Sequence, residues 1–170
     1  MKINVREARS SDVAAITEIF VASWQSTYAD IIPGSLLNTM TPESLVAEWT
    51  EKVDADQELV YVAETEEGII GFAHLGQNLD EDLKEEKLDL VELHALYFHP
   101  SSVNQGLGSE MWGILEEGLI GKLVVLWTLE ENRPAHHFYI KHGFEQDLVE
   151  GKFHFRDQSF PKLRYRKLIS

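Results

Sequence analysis

The stretch Val103-Asn104-Gln105-Gly106-Leu107-Gly108-Ser109 constrains this chain more than any other. It follows a long apolar run, Leu88 to Phe98, that is stopped by His99-Pro100. It also opens a segment in which Leu107, Met111, Ile114 and Leu115 recur at helical spacing. Glycines between a strand and a helix let the backbone approach a ligand closely, and the first N–H groups of the helix carry partial positive charge. Together these make an anion site suited to a diphosphate. A glycine turn at such a place is also often just a tight turn, so the spacing alone leaves both readings open. A phosphate-loop signature is missing, because no Gly-Lys-Ser/Thr occurs. The dinucleotide fingerprint fails at its third glycine, which is Met111, although Glu130 closes the next strand about twenty residues on, where a ribose-binding acid would lie.

The rest of the chain alternates between the two periodicities. Ile3 to Ala8 reads as a strand, and Ser10, Ser11 and Asp12 offer capping oxygens to a helix whose apolar face is Val13, Ile16, Phe20 and Trp24. Pro33-Gly34 breaks it, and Thr41-Pro42-Glu43 starts a second helix with Leu45, Val46 and Trp49 facing inward. Glu58 to Glu64 and Gly68 to Leu75 form a hairpin, and the acid-rich segment Asp80 to Glu86 reads as an exposed loop or helix turn. Leu123 to Leu129 is a buried strand, Arg133 to His142 a helix closed by Gly143, and Phe144 to Glu150 and Leu163 to Leu168 complete the sheet. The expected fold is therefore α/β: a mixed central sheet with helices on both faces, in a single domain spanning residues 1–170.

Charge and cysteine content narrow the partners. The first 150 residues carry nine bases against 28 acids, and six of the fifteen Lys and Arg fall in the last twenty. Such a field repels nucleic-acid phosphate and suits a cationic small molecule, although an acidic surface commonly serves solubility alone. With no cysteine there is no disulfide, thiolate nucleophile or thiolate metal site. No H-E-x-x-H occurs and His136-His137 are adjacent, so no metal is expected. No apolar run reaches the roughly 20 residues of a membrane span, so the expectation is a cytoplasmic protein.

A second constellation is Asn132-Arg133-Pro134-Ala135-His136-His137-Phe138-Tyr139-Ile140-Lys141-His142-Gly143-Phe144. Asn132 and Tyr139 are seven apart, hence on one helix face. A tyrosine on a cofactor face can deliver a proton to a leaving group, although an F-Y pair is more usually core. With E-L-H-A-L-Y-F-H-P at 92–100 and the glycine turn at 103–108, this block resembles the GNAT superfamily of acetyl-CoA-dependent N-acetyltransferases. The element order matches along nearly the whole chain, the N-terminal third only in layout.

The resemblance implies a mostly antiparallel sheet of about seven strands and acetyl-CoA as co-substrate. Its diphosphate would be held by main-chain N–H groups of Asn104, Gly106, Gly108 and Ser109, beside Val103. Val103 replaces the family's usual Gln or Arg, and Asn104 replaces a frequent Gly. Leu96 and Phe98 would pair with the pantetheine arm, the Leu96 N–H reaching the thioester carbonyl, and Asn132 would contact the arm. Tyr139 would be the general acid and Glu92 the base, at the position of the catalytic glutamate in some members. On an unbulged strand Glu92, His94, Leu96 and Phe98 share a face, so His94 is an alternative base or relay. Trp24 and Tyr28 would face the acceptor, a small amine, a polyamine or a protein amine. Direct attack within a ternary complex is implied, and dimers are frequent in the family. A non-catalytic acetyl-CoA sensor on the same fold is the competing reading.

Overall fold

The computed structural model describes residues 2–170. Seven strands form one sheet: β1 (Asn4–Glu7), β2 (Leu59–Thr65), β3 (Gly68–Gly76), β4 (Leu90–Phe98), β5 (Leu123–Leu129), β6 (Glu145–Phe155) and β7 (Gln158–Leu168). Their spatial order is β1-β2-β3-β4-β5-β7-β6, and every neighbouring pair is antiparallel except β4 and β5. The single parallel pair is joined by a crossover through α4 (Leu107–Glu117), as parallel strands require. This is the expected mixed sheet, and it is not the parallel doubly wound sheet that a dinucleotide site at Glu130 would need.

Helices cover both faces. On one, Val13, Ile16 and Ile19 of α1 (Val13–Thr27) and Trp49 of α3 (Pro42–Asp54) pack on Val60, Val62, Phe72 and Ala95. On the other, Leu107, Met111, Trp112 and Leu115 of α4 pack on Ala73, Leu75, Leu93 and Val124, with Phe138 and Tyr139 of α5 (Arg133–Lys141) against the same cluster. Each fully buried aliphatic or aromatic side chain contributes about 1.5–3 kcal/mol, so the two layers fix the sheet between them. A four-residue helix, α2 (Gly34–Leu37), follows the break at Pro33.

Several local expectations are corrected. Val46 and Ile114 are exposed rather than inward, because the apolar stripes of α3 and α4 are narrower than the spacing suggests. Residues 150–162 fold into the long β6–β7 hairpin, extending both final strands. Asp12 stands at the start of α1 but its side chain does not cap it: the carboxylate accepts from the Arg9 N–H at 2.8 Å across the preceding 3-10 turn and also takes the Arg6 guanidinium. The acidic segment after β3 is anchored: Leu83 is buried against Leu123 and Val125, and Asp80 and Asp82 both reach Arg164.

Two irregularities of β4 shape the centre of the molecule. It pairs with β5 only from Leu90 to Glu92, after which the two strands part. It also bulges at His94, since Leu75 opposes Leu93 and His74 opposes Ala95, leaving His94 without a partner across the ladder. The bulge divides the face expected for Glu92, His94, Leu96 and Phe98: Glu92 and His94 stay in contact, while Leu96 and Phe98 turn to the other side. Leu93, Leu96 and Phe98 face α4, whereas Ala95 and Tyr97 face α1 and α3, and Glu92 lies before the bulge on that second face.

Candidate active site

The parting of β4 from β5 opens a cleft of about 380 Å³. One wall is residues 93–98 of β4, another is Trp127 and Thr128 of β5, and the mouth is ringed by the glycine turn and the start of α5. The His99 N–H bonds to Ile70 O on the β3 side. Two-residue alternation therefore turns the N–H groups of Leu96 and Phe98 away from β3, into the gap β5 has vacated. The Phe98 carbonyl accepts from Ser23 Oγ at 2.9 Å, so its amide is what remains for a ligand. An extended acceptor-rich chain can lie there as a substitute strand.

At the mouth, Asn104 and Gly106 both have left-handed backbone, φ 63° and 74°. Asparagine is among the few non-glycine residues that adopt this conformation readily, so Asn104 can make a turn for which the resemblance implies a glycine. The Glu110 N–H closes the first intrahelical bond, on Gly106 O. The N–H groups of Leu107, Gly108 and Ser109 come before it, where helical geometry offers them no carbonyl. Gly108 lies close under the cleft wall: a Cβ there would stand 3.3 Å from the Phe138 ring, so the ring would have to give by a few tenths of an ångström. Ser109 Oγ meets His142 Nε2 at 2.8 Å, tying the start of α4 to the end of α5.

Farther in, Tyr139 and His94 line the same cleft. Burial, and secondarily the charge of a Tyr28 phenolate, push the Tyr139 phenol well above its ordinary value, so it keeps its proton at neutral pH. His94 Nδ1 is 2.8 Å from Glu92 Oε2, and its Nε2 is 3.1 Å from the Gln77 carbonyl. Burial disfavours the imidazolium, but Glu92, the Gln77 carbonyl and Glu58 outweigh it and raise His94 above the ordinary histidine value. The His74 ring stacks on His94 at 4.8 Å and is itself bonded to Glu58 at 2.6 Å; burial holds His74 below its ordinary value. Glu92 does not line the cleft. Its oxygens are held by His94 and by Asn78 Nδ2, the latter at 2.7 Å.

The remaining expected residues separate. Val103, Asn104, Gly106, Gly108, Ser109, Leu96, Phe98, Asn132 and Tyr28 all border the cleft. Asn132 caps α5, its Oδ1 accepting from the Ala135 N–H, which leaves Nδ2 as the group that can donate into the cleft. Trp24 sits behind the wall, edge-to-face on Tyr28 at 4.8 Å and packed on Phe20, Phe153 and Phe155; its buried indole N–H has no partner among the described residues. Sequence reading passes over Phe138, Tyr97 and Asn78. Phe138 carries a signal, because it stands beside Tyr139 in the same block; Asn78, in a loop between two strands, carries none.

Residues 56–146 match the family described as Acetyltransferase (GNAT) domain. An uncharacterised N-acetyltransferase of Bacillus subtilis, YuaI, is 32% identical over 157 residues, covering 89% of this chain and 84% of that protein. Among solved structures, the PaiA N-acetyltransferase of Thermoplasma acidophilum in complex with coenzyme A superposes with a TM-score of 0.69 at 22% identity, covering 96% of this chain and 98% of its own. YncA of Salmonella typhimurium, solved with its cofactor acetyl-CoA, gives 0.72 at 20% identity over 100% and 95%.

Proposed function

This chain belongs to the GNAT acetyltransferase family, and from that premise we propose that it transfers the acetyl group of acetyl-CoA to a primary amine within a ternary complex. The observation that carries the reading is the gap between β4 and β5, which runs from the glycine turn to Tyr139 and His94. In this reading the diphosphate lies on the amides of residues 104–109, the pantetheine arm lies along Leu96 and Phe98 with Asn132 opposite, and the thioester stops beside Tyr139. The two relatives of known structure named above carry coenzyme A and acetyl-CoA, which supports the same occupant here.

The chemistry follows from the proton positions. An alkyl ammonium has no lone pair, so it first loses a proton to His94. Both ring nitrogens of His94 face acceptors, so at low pH the ring holds two protons and cannot act as a base. Once Nε2 is deprotonated it no longer bonds the Gln77 carbonyl, Nδ1–H stays on Glu92, and a shift of that loop carbonyl frees the Nε2 lone pair to take the ammonium proton. Glu92 thus acts with His94, orienting it rather than touching the amine. The neutral amine attacks the thioester carbon, and the developing oxyanion accepts from the Leu96 N–H. The C–S bond then breaks with Tyr139 donating its hydrogen bond to the departing sulfur, and the extra proton on the new amide nitrogen is lost and ends on that sulfur, so that amide and thiol leave neutral. Because burial raises the phenol, that donation acts on charge already formed at sulfur rather than ahead of it.

Tyr28, backed by Trp24, forms the acceptor wall, and the acidic surface favours a cationic acceptor such as a polyamine or a protein amine. Thiol release from acetyl-CoA over a panel of polyamines, amino acids, aminoglycosides and peptides tests the reading. Saturable release with one acceptor class is expected. Tight acetyl-CoA binding with no release from any amine would instead favour a sensor.

A further inference from the structure

The acidic loop after β3 reaches the proposed base through an unbroken set of hydrogen bonds. Arg164 of β7 is 1% exposed and is held by Asp80, Asp82 and Asp147, at 3.2, 2.6 and 2.9 Å. Trp127 Nε1 donates to the same Asp80 at 3.0 Å. Asp80 in turn clasps Asn78 on both sides of the amide: its N–H donates to Asn78 Oδ1 at 3.0 Å, and its Oδ2 accepts from Asn78 Nδ2 at 3.1 Å. The same Nδ2 donates to Glu92 Oε1 at 2.7 Å. Only one orientation of the Asn78 amide satisfies these contacts, because a backbone N–H must donate and two carboxylates must accept. The preceding residue, Gln77, gives its carbonyl to His94 Nε2.

We infer that Asn78 is the positioning residue of the proposed base: it fixes Glu92 against His94, and Arg164 fixes Asn78 through Asp80. The inference rests on His94 as base but makes a separate claim, about what sets the ring's proton affinity. Without Asn78, Glu92 loses the amide that pins its far oxygen and swings away from His94 toward solvent. The charged and titratable groups around His94 are Glu92 on its own strand, His74 on β3, Glu58 just before β2 and Asp80 on the loop, with Lys52 on α3 acting on His74 behind it. The phenols of Tyr28 and Tyr139 lie across the cleft. Only Glu92 and Asp80 among these are bonded to Asn78.

The test is an NMR titration of the His94 ring in the full chain, assigned with His94→Gln, for the wild type, Asn78→Ala, Glu92→Gln and the double variant. Asn78→Ala should lower the His94 midpoint by about half a unit or more. In the Glu92→Gln background it should add almost no further shift, because no carboxylate is left to pin. Acetyl-CoA affinity should stay within about twofold in Asn78→Ala, since the loop lies off the glycine turn, while acceptor kcat/KM at neutral pH falls about tenfold. A shift that vanishes once the Glu92 charge is gone is not what a merely structural role produces. An unmoved midpoint in Asn78→Ala, or the same shift in both backgrounds, with folds intact by their amide spectra, would overturn the inference. Should Asn78→Ala fail to fold, Asn78→Ser, which keeps a turn-forming oxygen but has no amide to reach Glu92, takes its place in the same cycle. The titration needs no turnover, so shifted midpoints without acetyl transfer would fault the proposed reaction and leave the positioning claim standing.

Discussion

His94 and Tyr139 line one cleft, and the proposed reaction makes opposite demands on their protons. A base must be deprotonated to work, and His94 is held above the ordinary histidine value of 6.5 by Glu92, Gln77 and Glu58 against the pull of burial. Activity should therefore rise with pH through a midpoint above 6.5, measured as kcat/KM for the acceptor, and His94→Gln should remove that limb and lower the rate about a hundredfold. As the proposed acid Tyr139 needs its proton, and burial keeps it there across the whole neutral range. Tyr139→Phe should lower kcat at least about tenfold while leaving the acetyl-CoA KM little changed, as steady-state kinetics would show. Tyr139 was legible because it sits in a block with Asn132 and Phe138. The pairing of Glu92 with His94 was legible from alternation, which puts them on one face; the bulge, which separates that face from Leu96 and Phe98, was not.

At the scale of elements, the site depends on where strands and helices meet. Gly106 has open space around a built Cβ, so Gly106→Ala costs only its left-handed backbone, about 1–2 kcal/mol. Calorimetric titration should then show acetyl-CoA binding weakened several-fold, because the cost falls on the turn proposed to hold the diphosphate. Gly71 differs: a Cβ there would stand 2.6 Å from the Phe98 ring, across the β3–β4 ladder. Gly71→Ala must push Phe98 toward the cleft, and a destabilisation of about 1–3 kcal/mol is expected in denaturant unfolding. Turn, helix and strand types could be read from periodicity and from glycine placement. The splay of β4 from β5 could not, because pairing ends where two apolar runs diverge in space, and neither run changes character at that point.

For the molecule as a whole, the element order carried the fold, because strand-helix alternation with one helical crossover admits few sheets. What it left out are long-range contacts between chemically ordinary residues. Arg164 lay in a basic final stretch and gave no sign of the three carboxylates that surround it. Replacing it with Met would leave three partly exposed carboxylates facing one another without their shared buried cation, a loss of about 1–3 kcal/mol. For a chain of this length that lowers Tm by about 2–12 °C, readable by calorimetry. The Asp82 carboxyl is held below its ordinary value by Arg164, so the folded state binds fewer protons than the unfolded one. This contribution is present at neutral pH and fades as pH falls below the ordinary carboxylate range, so the wild-type advantage over Arg164→Met should shrink in acid.

A crystal structure of the chain with acetyl-CoA bears most directly on the account. The predicted result places the diphosphate against the amides of residues 104–109 and the pantetheine beside Leu96 and Phe98, with the thioester carbonyl at the Leu96 N–H and its sulfur near Tyr139. Coenzyme bound elsewhere, or β4 and β5 closed on each other with the cleft filled by side chains, would contradict it.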